Sequence, residues 1–381
     1  MGRNVDEPRK VQLLTSRSAA RWQKLASFLG QGFLFLVTAA SATAVLFILF
    51  FILKDALPFF REMGAVGLFE SDSWRPTGEP PEFGALGIFV GSALVTLGSC
   101  VIAVPMGVVA AVCLSDVLPF GARQVAKPLI ELLAAIPSVA YGFFALVIFA
   151  PILQEKGGAL IAVALWALAL PLGGILVVVL SDVSTDRLPD AARRVGRPLV
   201  GAALLGLGLW GLWAVSARVA RIRISNGVNA LNASIILAVM VLPTVVSVCE
   251  DALTAVGRDL REGSYALGAT RAETMLRVVI PAARGGIVAA VLLGVMRAVG
   301  ETMVVLMAAG NAFEIPEPFY NLLAPVRTLT ATIALEMGET AVGSTHYHAL
   351  FALGFFLLVF CFVLNLVSEW AIRRSRKRGG G

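Results

Sequence analysis

Charge is what this sequence has least of. Only 15% of its 381 residues are Asp, Glu, Lys or Arg, against about a quarter in an average soluble domain. Apolar residues make up 58%, and the mean hydropathy is +0.84. A water-soluble fold cannot hide that much apolar surface, which excludes a cytosolic enzyme, and the same numbers exclude intrinsic disorder. The 37 glycines follow no period, which excludes a fibrous repeat. Cysteine is scarce: Cys100, Cys113, Cys249 and Cys361 fall in or beside apolar runs and read as small buried hydrophobes, not as a disulfide frame or a metal site. The two histidines, His346 and His348, have no third or fourth ligand near them in sequence, so no metal is expected; docking residues are the better reading. No G-x-x-x-x-G-K-[ST] stretch occurs, so the chain does not cradle nucleotide phosphates in the P-loop manner. No cofactor is implied.

What is present is a series of long apolar runs. A helix needs about 20 such residues to cross the hydrocarbon core, and no period-two alternation competes with the helical reading. The expected fold class is all-α, a polytopic transmembrane bundle. The candidate spans are Leu25–Leu53, Phe83–Ser115, Leu132–Gln154, Gly157–Ser181, Pro198–Ala217, Ile224–Cys249, Gly285–Phe313 and Thr340–Ser368. The first is too long for a secretory leader and reads as a retained anchor. Eight spans are expected, with six as the alternative if the 157–223 segment does not cross twice.

Lys and Arg near the span ends set the orientation. The 1–24 segment carries Arg3, Arg9, Lys10, Arg17, Arg21 and Lys24, and the 373–381 tail carries Arg373, Arg374, Arg376, Lys377 and Arg378. Both read as cytoplasmic, the tail also as a contact with membrane lipid; nucleic acid is a poor fit for basic residues confined to tails and short loops. The acid-rich 54–82 and 312–339 loops read as external. Arg218, Arg221 and Arg223 break the rule if 157–223 is a simple inserted hairpin.

Two features carry chemistry. The first is the 250–284 loop, long for a helix–helix connection. Within it Tyr265, Ala269, Ala272 and Leu276 fall at helical spacing and predict a short amphipathic helix, with Gly268 admitting a close backbone and Pro281 ending the element. Such a helix suits a groove on a partner. Lys127 and Glu131 are expected to pair locally at a cytoplasmic helix start. The second feature is Arg297-Ala-Val-Gly-Glu301-Thr302, about 18 Å into a span at 1.5 Å per residue. A lone intramembrane Arg is costly, and pairing with Glu301 four residues on rarely makes it a net stabiliser. The guanidinium fork suits phosphate oxygens, and the carboxylate can accept a hydrogen bond from a protonated phosphate oxygen, which sulfate does not offer. A structural ion pair locking two helices is the bland alternative. Pro137-Ser138 is expected to break the third span near its cytoplasmic end, by a kink or by aiming free N–H groups at an anion.

These residues resemble a known family. Glu262, Gly268, Val278, Ile280 and Pro281 fit the E-A-A-x3-G-x9-I-x-L-P spacing of the coupling loop of ABC importer permeases, with Gly263 and Ser264 in place of the two alanines. Ile130-Glu-Leu-Leu-Ala-Ala-Ile-Pro137-Ser138-Val-Ala-Tyr141-Gly142 and the Arg297–Thr302 stretch are similar to the C-type (PstC-like) permease subunits of bacterial phosphate-specific importers. The resemblance covers roughly 83–153, 229–313 and the last span; 157–223 departs from shorter members. It implies a core permease domain over 83–311 with an inserted hairpin, a multi-pass protein of the bacterial inner membrane and no enzymatic activity of its own. It implies Arg297, Glu301, Thr302 and Ser138 along the phosphate pathway, and Glu262, Tyr265, Ala266, Gly268, Ala269 and Ala272 against the ATPase. The implied partners are two copies of an ABC ATPase, a sister permease and an extracytoplasmic phosphate-binding protein. The competing readings are a permease for sulfate or molybdate, a proton-coupled secondary transporter using Arg297 and Glu301 as a relay, and a non-transporting scaffold.

Overall fold

The computed structural model describes residues 17–64, 66–185 and 190–379; most of the basic side chains that set the expected orientation of the termini lie outside the described ones. The described residues are helical almost throughout, as expected. The chain opens with α1 (Arg17–Met63), whose side chains from Phe28 to Phe51 are exposed. An apolar helix with no protein cover along that length is a lipid-facing one. Its outer end packs on the last helix, α13 (Thr345–Gly379). The 64–85 connection departs from pure helix in a two-residue ladder, β1 (Trp74–Arg75) with β2 (Glu82–Phe83).

The core is built on α2 (Leu86–Val112), α7 (Ala230–Thr254) and α10 (Ile280–Val299). Lipid tails are as apolar as Leu, so helices in a bilayer associate by close packing of small residues. Val245 of α7 is gripped this way from both sides. A Cβ added at Gly107 of α2 or Gly294 of α10 would stand 2.7 or 2.8 Å from its side chain. Buried Asn232 of α7 donates its Nδ2 to Ala145 O at 3.1 Å and Gly227 O at 2.9 Å. A second, aromatic cluster (Phe59, Trp74, Phe83, Ile88, Leu350 and Leu353) ties the ends of α1, α2 and α13 to the 64–85 connection.

Seven stretches among the described residues are long and apolar enough to cross a membrane, but their boundaries correct the sequence reading. The third expected run is split: α3 (Phe120–Ala135) stops at Ile136-Pro137, where Pro removes the donor a continuing helix needs, and α4 (Ser138–Phe144) restarts. From Ser138 the helix runs on through a π turn at Ala145–Phe149 into α5 (Ala150–Thr185). The expected boundary between the third and fourth spans is therefore helix interior. Gly157-Gly158 does not turn the chain there; instead its missing side chains receive the end of α6 (Asp190–Val219). The Val219 and Ala220 carbonyls lie 2.8 Å from where a Gly158 Cβ would stand.

The seventh expected run is divided as well. Its helix begins at α9 (Arg271–Thr274), continues through a π turn into α10 and ends at Val299. After a break over 300–302 a short α11 (Met303–Ala308) follows. Pro281 does not end the element; it stands just after the π turn at Met275–Val279, and the helix continues past it to Val299. The expected 312–339 loop is not all loop. It folds back as α12 (Leu329–Glu336), whose Leu329, Thr330, Ala331 and Thr332 are buried.

Candidate translocation and coupling sites

Arg297 occupies the last turn of α10, and Glu301 and Thr302 lie in the break after it. Glu301 N–H bonds to Ala298 O at 3.3 Å, and its own carbonyl accepts the Thr330 hydroxyl of α12 at 2.6 Å. The two charges are therefore not stacked on one continuous helix face. Among the described residues no ion pair joins them, contrary to the expected pairing. Arg297 is exposed and Glu301 half-buried on the single chain. Across from them stand α4 and the π turn. Ser138 is half-buried at the α4 start, and Gly142 of the same helix lies against Met303 and Met307 of α11, where a Cβ would stand 3.1 Å from the Met303 carbonyl. Tyr141 Oη donates to Leu133 O at 2.8 Å, bridging the Pro137 break. The surrounding face is apolar and open, with Val139, Phe143, Phe144 and Val147 exposed. A guanidinium with no carboxylate partner, at a break between two helices, has donors free for an anion.

On the other side of the bundle, α8 (Arg258–Ala266) ends at Gly268, not at Pro281. Gly268 has φ +83°, a conformation glycine adopts without strain. Its N–H bonds to Tyr265 O at 2.9 Å and that of Ala269 to Ser264 O at 3.2 Å, the paired bonds of a Schellman stop. This corrects the single-helix reading. Tyr265 lies on α8, whereas Ala269 lies in the turn and Ala272 on α9, which is opened by a capping box of Thr270 and Glu273. The glycine serves the turn, since a Cβ there would meet nothing within 4 Å. Glu262, Tyr265, Ala266, Gly268 and Ala272 are exposed and Ala269 half-buried. Leu267, at the corner, is 90% exposed.

The chain matches the family model described as "Binding-protein-dependent transport system inner membrane component" over residues 103–377. It belongs to that family. A probable ABC transporter permease protein, YqgH of Bacillus subtilis (strain 168), is 31% identical over 304 residues, covering 80% of this chain and 76% of that one. The phosphate transport system permease protein PstC of Mesorhizobium japonicum is 33% identical over 311 residues, 81% and 79% of the two chains. PstC of Pasteurella multocida is 30% identical over 348 residues, 91% and 90%. This permease is thus a multi-pass inner-membrane transport component and not an enzyme.

Several polar contacts of the permease escape sequence reasoning. Lys127 pairs with Glu250 at 3.0 Å and, more loosely, with Asp251 at 4.0 Å, not with Glu131. Glu250 is 1% exposed and also takes Arg123. Arg261 of α8 pairs with Asp116. On the face that reads as external, Glu336 accepts from Trp74 Nε1 at 2.9 Å, from Arg327 Nη1 at 2.6 Å and bonds His346 Nε2 at 2.9 Å. His348 Nδ1 lies 2.7 Å from Asp55 O. The histidines are therefore internal fasteners of this end, not docking groups. The only sequence signal for Glu250 was a carboxylate closing an apolar run; its partners lie more than 100 residues away.

Proposed function

We propose that this permease forms half of a pathway that carries inorganic phosphate inward, driven by ATP hydrolysis in separate subunits. The observation that carries it is Arg297: a guanidinium without a carboxylate partner, at a helix break in the membrane region, on a face left open by the single chain. An open face with a charge at its centre is half of a lined passage, and a sister permease would supply the other half. The relatives named phosphate permeases support the choice of anion. In this reading Arg297, Glu301, Thr302 and Ser138 line the passage. The segment of 258–276 with Glu262, Tyr265, Ala266, Gly268, Ala269 and Ala272 docks an ABC ATPase, present in two copies. An extracytoplasmic phosphate-binding protein delivers the ion, and both termini are cytoplasmic.

The test is uptake by the complete complex in proteoliposomes. Arg297→Gln is expected to abolish phosphate uptake while all subunits still co-purify. Normal uptake by this stably inserted variant would remove Arg297 from the passage. Competition by unlabelled sulfate or molybdate as strong as by phosphate would move the substrate to another oxyanion.

A further inference from the structure

The docking segment and the Arg297 face are joined by contacts that meet on one helix, α3. At one end, Arg261 of α8 pairs with Asp116 in the π turn closing α2 and donates its Nη2 to Leu253 O at 2.8 Å. That turn leads through Leu118-Pro119 into α3. Glu250, near the cytoplasmic end of α7, then holds Arg123 and Lys127 of α3. At the far end, Leu133 O accepts the Tyr141 hydroxyl across the Pro137 break, and the adjacent Gly142 packs so closely on Met303, just past the break that follows Arg297, that a Cβ there would stand 3.1 Å from the Met303 carbonyl.

α3 buries none of its own residues. Val125, Leu129 and Leu132 are all exposed. A helix kept in place by apolar packing resists displacement, because every shift opens voids. This one touches the core through only two half-buried apolar side chains, Ala126 and Ile130, and is otherwise held by ions near its start and one hydrogen bond near its end, so it can tilt as a rigid rod while its fastenings stay made. Burying the Glu250 carboxylate is also a poor way to add stability, since apolar residues of similar size do as well or better. Its position between the docking segment and α3 gives it another use.

We propose that α3 is the lever that carries movement of the docking segment to the Arg297 face, with Glu250 and the Asp116–Arg261 pair as its positioning residues. This rests on the reading of 258–276 as the ATPase-docking segment. None of these residues touches the ion or the nucleotide; they fix how far a displacement of α8 is felt at Pro137. Coupling of this kind is established by energetic cycles and not by adjacency, so the test is built on one.

The complete complex is reconstituted in proteoliposomes, and phosphate taken up is measured per ATP hydrolysed. Asp116→Asn and Glu250→Gln are each expected to retain the ATPase at the wild-type ratio, to hydrolyse ATP within about twofold of wild type, and to lower uptake per ATP about tenfold; Arg261→Gln, on the docking segment itself, is expected to lower uptake per ATP to the same extent. The swap of Asp116→Arg with Arg261→Asp is expected to recover most of that loss. Should Glu250→Gln not assemble, Arg123→Gln with Lys127→Gln tests the same contact from its exposed side. Unchanged uptake per ATP in the single variants, or a swap no better than either single, overturns the lever. A wild-type complex from which the ATPase dissociates freely while uptake persists on a proton gradient would overturn the docking assignment beneath it.

Discussion

On the proposed phosphate reading, Arg297 works by shape as much as by charge. Its planar fork presents parallel donors to an oxyanion, whereas a Lys ammonium is a compact, strongly hydrated point charge. Arg297→Lys therefore keeps the positive potential and loses the fit. It is expected to raise the phosphate concentration for half-maximal uptake by about tenfold, with assembly and ATPase retention unchanged; uptake kinetics in proteoliposomes give the answer. Glu301 is placed differently from what its i+4 spacing suggests, because Gly300 closes α10 and the backbone leaves the helix before Glu301 is reached. Its carbonyl is engaged by Thr330, which pins the break to α12 and leaves Glu301 half-buried.

Among the elements, α8 and its stop show what a glycine contributes. With φ at +83° at Gly268, any L side chain costs roughly 1–2 kcal/mol, although the space around it is empty. The damage from substitution is thus conformational and local: the α8–α9 corner that presents Tyr265 and Leu267 changes its angle while the membrane core is untouched. Gly268→Val is expected to insert normally, to keep its thermal stability in detergent within a few degrees, and to release the ATPase on size exclusion. Retention of the ATPase at the wild-type ratio with full uptake would show that the corner is not what docks.

For the whole molecule, parity decides the topology. If both termini are cytoplasmic, as proposed, the number of crossings is even, and the 158–185 part of α5 crosses together with α6 or neither does. The Pro198–Val219 stretch is long and apolar enough to cross a membrane, and Leu199, Leu207, Trp210 and Trp213 are exposed on it. A large apolar side chain gains about 1.5–3 kcal/mol on leaving water, so the expectation is that the pair lies in lipid. Yet Ser138–Thr185 is one continuous helix, about 70 Å long at 1.5 Å per residue, more than twice the roughly 30 Å hydrocarbon core. In a bilayer the rod is expected to bend, and Gly157-Gly158 is where two residues without side chains make bending cheapest. A cysteine at Ser184 in a cysteine-free background is then expected to react with an impermeant thiol reagent only from the cytoplasmic side. Reaction from the external side would place the hairpin outside the membrane.

Class, membrane residence, approximate spans and the family likeness were determined by sequence alone, because each rests on local quantities: apolar run length, charge at run ends, and short motifs of fixed spacing. The break at Pro137 was equally legible, since proline acts on its own turn of helix. Tertiary structure decided the rest. Whether Gly157-Gly158 turns or continues depends on the end of α6 packing there. Whether Arg297 meets Glu301 depends on where α10 stops. That Lys127 answers Glu250 and not Glu131 depends on α7 standing beside α3. A charge finds its partner across space, and spacing along one helix proposes only the nearest of the partners that the fold brings within reach.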